Sequence, residues 1–218
     1  MTSPFSTSER SESMMEWFNL HSREVIWGGI AVVVLAGGGW FYNRSRELKA
    51  ERAEKAYYAA QRSVTAGNLP LAESDLKKMI TRYDGTQAAT QARLQLAQIL
   101  YDQGKFEDGV AELKKAADKV GSAEDFGSSV HLLMATGLDQ MNKHAEAAAE
   151  YEKAAKVARF DADRQRYMSL AASSYLTAGN KAKAKEIWTD LGKDSKGAVA
   201  GEARVRLGEM EATPAPRS

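Results

Sequence analysis

ARLQLAQILYDQGKFEDGVAELKKA, residues 92–116, decides how this chain is to be read. It reads as a helix, a turn marked by Gly104, and a second helix. Three companions share the layout: Tyr57 to Met79, Leu132 to Ala154 and Ser169 to Leu191. The turn residues Gly67, Gly104, Asn142 and Gly179 follow one another at intervals of 37, 38 and 37 positions. A fixed period in this range is the mark of stacked helical hairpins. Such an array offers a surface for holding other polypeptides and is seldom a reaction vessel.

Composition narrows the function further. The chain has 218 residues and a net charge of +1, which argues against a nucleic-acid partner, since that normally demands a basic face. The absence of cysteine removes disulfides, thiolate nucleophiles and zinc ribbons together. Of the four prolines, Pro4, Pro214 and Pro216 lie at the ends, leaving Pro70 alone inside the body. A long proline-poor stretch rich in Ala, Lys, Glu, Gln and Leu favours helices throughout, so the expected class is all-α.

One segment has a different character. Val25 to Tyr42 (VIWGGIAVVVLAGGGWFY) carries no charge. As a helix it would be about 27 Å long, at the short end of what a bilayer's hydrocarbon core requires. Trp27 near one end, and Trp40 and Tyr42 at the other, resemble interfacial aromatic belts. A cleavable signal peptide is a competing reading, weakened by the acidic leader (Glu9, Glu12, Glu16, Glu24) and by aromatics where small cleavage-site residues belong. A buried soluble helix is another, disfavoured by its five glycines. The expected organisation is a leader over 1–24, a transmembrane helix over 25–43, a repeat domain over 44–211 and a tail over 212–218.

Within the leader, residues 1–12 are Ser/Thr-rich and expected to be disordered, whereas Ser13 to Glu24 could form a short surface helix. Beyond the span, Arg44 to Arg62 has no helix breaker, so the helix is expected to run on to about Ala66 and hold the repeats off the membrane. Gly67, Gly104, Asn142 and Gly179 tolerate a left-handed helix terminus, and Pro70 suits the start of a helix. Asp84-Gly85-Thr86, Gly121-Ser122, Phe160-Asp161 and Lys196-Gly197 are turn material between units. Val199 to Glu211 reads as a solvating cap, with Val205 and Leu207 facing the preceding unit.

The hairpins resemble the tetratricopeptide repeat, which wants a large and then a small residue early in its first helix. Here these are Ala59-Ala60, Leu96-Ala97, Met134-Ala135 and Ala171-Ala172. In its second helix the motif wants a small, a large and another small residue. The matches are Ala72/Leu76/Met79, Gly109/Leu113/Ala116, Ala147/Tyr151/Ala154 and Ala184/Trp188/Leu191. The first unit departs most, the motif's usual terminal proline is absent, and the longer period predicts longer turns between units.

The layout is also similar to the tetratricopeptide-like family that includes the ancillary SecYEG translocon subunit of bacteria. The shared features are a short leader, one anchor, a charged helix and the phrase Tyr83-Asp84-Gly85-Thr86 … Ala92-Arg-Leu-Gln-Leu-Ala97. That resemblance implies a bacterial inner-membrane protein with periplasmic repeats, whose partners are translocon components, polypeptide clients or chaperones. The charge pattern points the other way. Arg10 and Arg23 precede the span, while Arg44, Arg46, Lys49, Arg52 and Lys55 follow it, which by the positive-inside rule would put the repeats in the cytoplasm. We take the periplasm as the expectation, because the rule weakens for long translocated domains.

No phosphate loop, HExxH or GxSxG occurs, and the carboxylates fall at solvated helical spacings, so neither an enzyme nor a cofactor, metal or small-molecule site is expected. His131 and His144 are read as packing residues. The expected function is a membrane-anchored binding module that uses a groove lined by the first helix of each unit. The resemblance places Tyr57, Gln61 and Val64 there from the first unit, and Leu94, Gln98 and Tyr101 from the second. The third supplies Leu132, Thr136 and Asp139, and the fourth Ser169, Ser173 and Leu176. These side chains are neutral and mixed, which suits an extended or helical peptide with some apolar groups. A structural subunit of another membrane complex and a cytoplasmic-facing regulatory scaffold are the competing functions.

Overall fold

The computed structural model describes residues 22–117, 126–194 and 196–212. The expectations for the leader up to residue 21, for Gly121-Ser122 and for the tail from residue 213 lie outside the described residues. Among the described residues there are nine α-helices. They are α1 (Ser22–Thr65), α2 (Leu69–Tyr83), α3 (Gln87–Asp102), α4 (Phe106–Ala117), α5 (Gly127–Gln140), α6 (His144–Lys156), α7 (Asp161–Thr177), α8 (Lys181–Lys193) and α9 (Ala200–Glu211). The chain divides into two compact units, Met1–Glu51 and Arg52–Ser218.

The described part of the first unit is the N-terminal portion of α1. From Ile26 to Glu47 its side chains are exposed, with Leu35, Val33 and Phe41 at least 70 % so. By length and composition α1 is apolar enough to cross a membrane.

The second unit is a succession of antiparallel hairpins, each helix packed on the next in the chain from α2 to α9. Residues 52–65 of α1 pair with α2, burying Ala53 and Ala60 with Ala72, Leu76 and Met79, and Ser63 Oγ donates to Asp75 Oδ2 at 2.9 Å. First helices also touch across units, as α3 does α5.

All four hairpin turns close in the same way because the same backbone conformation is needed at each. Gly67, Gly104, Asn142 and Gly179 have φ of 71°, 74°, 59° and 85°. The amide one residue further on reaches back to a carbonyl five positions earlier: Asn68 to Ser63, Lys105 to Leu100, Lys143 to Leu138 and Asn180 to Tyr175. This left-handed termination satisfies carbonyls that the helix end would otherwise orphan. Asn68 and Asn180 then start the second helices by accepting from the amides of Leu71 and Lys183.

The small-large pattern builds the core. Ala97, Ala135, Ala147, Ala154, Ala171 and Ala172 are wholly buried, and their small side chains let helix axes approach. Leu76, Leu96, Leu113 and Trp188 fill the space beside them at 0–1 % exposure. Each such burial stabilises by about 1.5–3 kcal/mol over an exposed side chain. At the C-terminal end α9 lays Ala203, Leu207 and Met210 on Trp188 and Ile187. Val205 departs from expectation: it is 61 % exposed, two residues out of register with Ala203 and Leu207, so α9 turns it to solvent.

Candidate functional site

The predicted groove positions are on α1, α3, α5 and α7, the first helix of each hairpin. Nine of the twelve are half-buried: Tyr57, Gln61, Val64, Leu94, Leu132, Thr136, Asp139, Ser173 and Leu176. Gln98 is exposed, and its Nε2 donates to Asp102 Oδ1 at 3.0 Å. Tyr101 and Ser169 are buried. The hydroxyls of Thr136 and Ser173 donate back to the carbonyls of Leu132 and Ser169, each at 3.0 Å. Val64, Leu94, Leu132 and Leu176 pack partly against the hydrophobic clusters. Gln61 Oε1 is buried without a hydrogen-bond donor among the described residues. Tyr57 lies 6.2 Å from Tyr58, centroid to centroid, and burial, with Tyr58 adding to it, pushes its hydroxyl pKa up.

Tyr101 is a packing residue that joins two hairpins. Its ring lies over Gly109 and Gly137, where any Cβ would collide with it. Its hydroxyl donates to the Leu133 carbonyl at 3.1 Å, and burial raises its pKa well above the tyrosine range. The pair of glycines, 28 positions apart, was the available signal in the sequence.

Three polar joints escaped sequence reading because their partners are distant along the chain. Arg93, 7 % exposed, donates to Glu112 Oε2 at 2.6 Å and to Asp84 Oδ1 at 3.1 Å. This explains the phrase around Asp84 and Arg93: Gly85 supplies a φ of 79°, Thr86 caps α3 by accepting from the Ala89 amide, and the ion pair ties the turn to α3 and α4.

The histidines also depart from the packing role expected of them. His144 Nδ1 lies 2.9 Å from Asp139 Oδ1, and Ser174 Oγ donates to Asp139 Oδ2 at 2.8 Å, so Asp139 links α5 to α6 and α7. His131 Nδ1 lies 2.7 Å from Glu150 Oε2. Burial pulls the Glu150 pKa upward, but hydrogen bonds from His131 and Lys153 outweigh it and leave the carboxyl below its usual range. Imidazoles set beside half-buried carboxylates form hydrogen bonds that apolar periodicity does not encode.

Clefts flank the first two hairpins. One of about 440 Å³ lies between α2 and α4 over Arg93, rimmed by Lys77 and Lys115. Another, of about 300 Å³, lies between α1 and α2 against Ala56, Ala60, Met79 and Tyr83. Among the described residues no group of three or more histidines and carboxylates could hold a metal ion.

Comparison with known proteins agrees with this architecture. No curated protein matches the chain significantly. The nearly identical TPR-like repeats of a kinesin-light-chain-type protein from Podosopora anserina superpose with a TM-score of 0.57 at 14 % identity, covering 73 % of this chain and 85 % of that one. BtubC from P. vanneervenii gives 0.52 at 17 % identity, covering 98 % and 96 %. YrrB, a TPR protein with an unusual peptide-binding site, gives 0.50 at 18 % identity, covering 87 % and 89 %. At such identities the likeness is one of fold. TPR-like repeat domains generally mediate protein–protein interaction and typically serve as non-catalytic scaffolds. Residues 15–195 match the model of the tetratricopeptide repeat-like domain, and the chain belongs to that family.

Proposed function

We propose that this protein is a membrane-anchored module that recruits or holds polypeptides or chaperones at the membrane, in the manner of an ancillary subunit of the Sec translocon. The observation that carries the reading is the union, in one chain, of an uncovered apolar helix and a series of hairpins of an interaction family. The family match begins at residue 15, ahead of the apolar segment, which supports reading segment and repeats as one layout. The translocon assignment is supported by the phrase around Asp84 and Arg93 and by the order of leader, span, charged helix and repeats.

The peptide-binding face in this reading is formed by Tyr57, Gln61, Leu94, Gln98, Leu132, Thr136, Ser173 and Leu176. Its neutral amides and hydroxyls, with partly accessible leucines, suit an extended segment bound through its main chain and a few apolar side chains. Photo-crosslinking from Gln98 and Thr136 in native membranes tests this. Adducts with translocon components, emerging chains or chaperones are expected, and their reproducible absence removes the proposal.

The cations after the span favour a second reading, in which the repeats face the cytoplasm as a regulatory scaffold. Protease added to intact spheroplasts separates the two. Digestion of the repeats supports the periplasm, and protection until lysis supports the cytoplasm.

A further inference from the structure

We propose that Tyr42, Arg46 and Lys49 form a docking stripe for the phosphate headgroup of an anionic phospholipid, an inference that rests on the membrane reading above. The three residues are spaced i, i+4 and i+7 along α1, and so share one face of the helix. All three are exposed, and the Arg46 guanidinium sits 5.8 Å from the centroid of the Tyr42 ring. Trp40, Phe41 and Tyr42 mark the end of the apolar segment, each more than 60 % exposed. From Tyr42 to Lys49 the helix rises about 10 Å, which carries the stripe through a headgroup layer of roughly 5–8 Å.

Charge is arranged to match. Glu47 and Glu51 lie more than roughly 100° round the helix from the stripe, at 100° per residue. Arg44, off the stripe, pairs with Glu47 at 3.2 Å, both side chains more than half exposed. The stripe therefore presents the Arg46 guanidinium against the Tyr42 ring and the exposed Lys49 ammonium about one turn further on. A guanidinium can grip a phosphate with two parallel N–H donors, and the ammonium adds a point charge beside it. Phosphatidylglycerol, which offers one phosphate and no compensating amine, fits better than zwitterionic phosphatidylcholine.

The full chain reconstituted in vesicles of mixed phosphatidylcholine and phosphatidylglycerol tests the stripe, using spin-labelled versions of both lipids to measure their relative association with the protein. Each basic side chain near the surface contributes up to about fivefold, so a three- to tenfold preference for phosphatidylglycerol is expected at low salt. It should fall toward parity at about 1 M salt. The R46Q/K49Q variant should lose most of the preference, while Arg82→Gln, an exposed change on α2, should keep it. Parity in the unmodified chain, or an unchanged preference in R46Q/K49Q, overturns the proposal while leaving the anchor intact, provided the chain floats with the vesicles. A chain that does not float with the vesicles overturns the membrane reading and the stripe together.

Discussion

Gly137→Ala is the sharpest probe of how the hairpins are joined. A Cβ at Gly137 would run into Oη and Cζ of Tyr101 and come within 2.7 Å of Val110 Cγ2. The ring has little room to withdraw, because its Cδ1–Cε1 edge already lies on Gly109, where the Ala97 carbonyl is also close. Overpacking of this kind costs about 1–3 kcal/mol. Displacing the ring also loses the hydrogen bond to the Leu133 carbonyl, about 1 kcal/mol. Replacing a helical glycine by alanine returns about 1 kcal/mol of helix propensity. The net is a loss of about 1–3 kcal/mol, which for a domain of this size lowers the melting temperature by roughly 3–10 °C. Gly208→Ala is the control: it is helical with nothing within 4 Å of its would-be Cβ, so it should melt at or slightly above the parent. Tyr101→Phe in the G137A background removes the nearest clashing atom and should recover part of the loss, giving a non-additive cycle. Circular dichroism melts at 222 nm read these four proteins and the Tyr101→Phe single variant that closes the cycle. A G137A protein as stable as G208A would refute the assignment of Tyr101 as the joint.

Three further outcomes follow from the same geometry. Arg93→Met removes the guanidinium that Asp84 and Glu112 share; with Asp84 partly exposed and Glu112 still held by Lys115, the loss should be about 1–3 kcal/mol, read as a lower urea midpoint. Asn142 holds a φ of 59°, so Asn142→Ala should destabilise by about 1 kcal/mol while Asn142→Gly stays near the parent in the same urea titration. Glu150 has a folded pKa below its usual value, so its contribution is present above the unfolded carboxylate pKa, near about 4.3, and is lost as pH falls through the folded value. Between about pH 5 and 3 the parent should therefore lose melting temperature more steeply than Glu150→Gln.

The repeating hairpins were legible in the sequence because their cause is local. Gly67, Gly104, Asn142 and Gly179 each end a helix in a backbone region that other residues resist, so residue type alone marks the turn and its period marks the stack. The small-large pattern was legible for a related reason. Ala97 with Leu113, or Ala147 with Tyr151, can pack only on the inner face of a helix pair. An uncharged run such as residues 25–42 likewise announces itself by composition.

Which of the groove positions face outward was decided by tertiary structure. Tyr101 occupies a position the motif gives to the groove, yet turns into the next hairpin because Gly109 and Gly137 leave room for its ring. Ser169 is buried by neighbouring helices, and Val205 is left bare by the register at which α9 meets α8. Arg93 with Glu112, His131 with Glu150, and Asp139 with Ser174 are pairs 19, 19 and 35 residues apart. Backbone preference acts over a few residues and is written in the local sequence. The partition of side chains between core, joint and groove depends on how one hairpin lies on the next, and packing sets that.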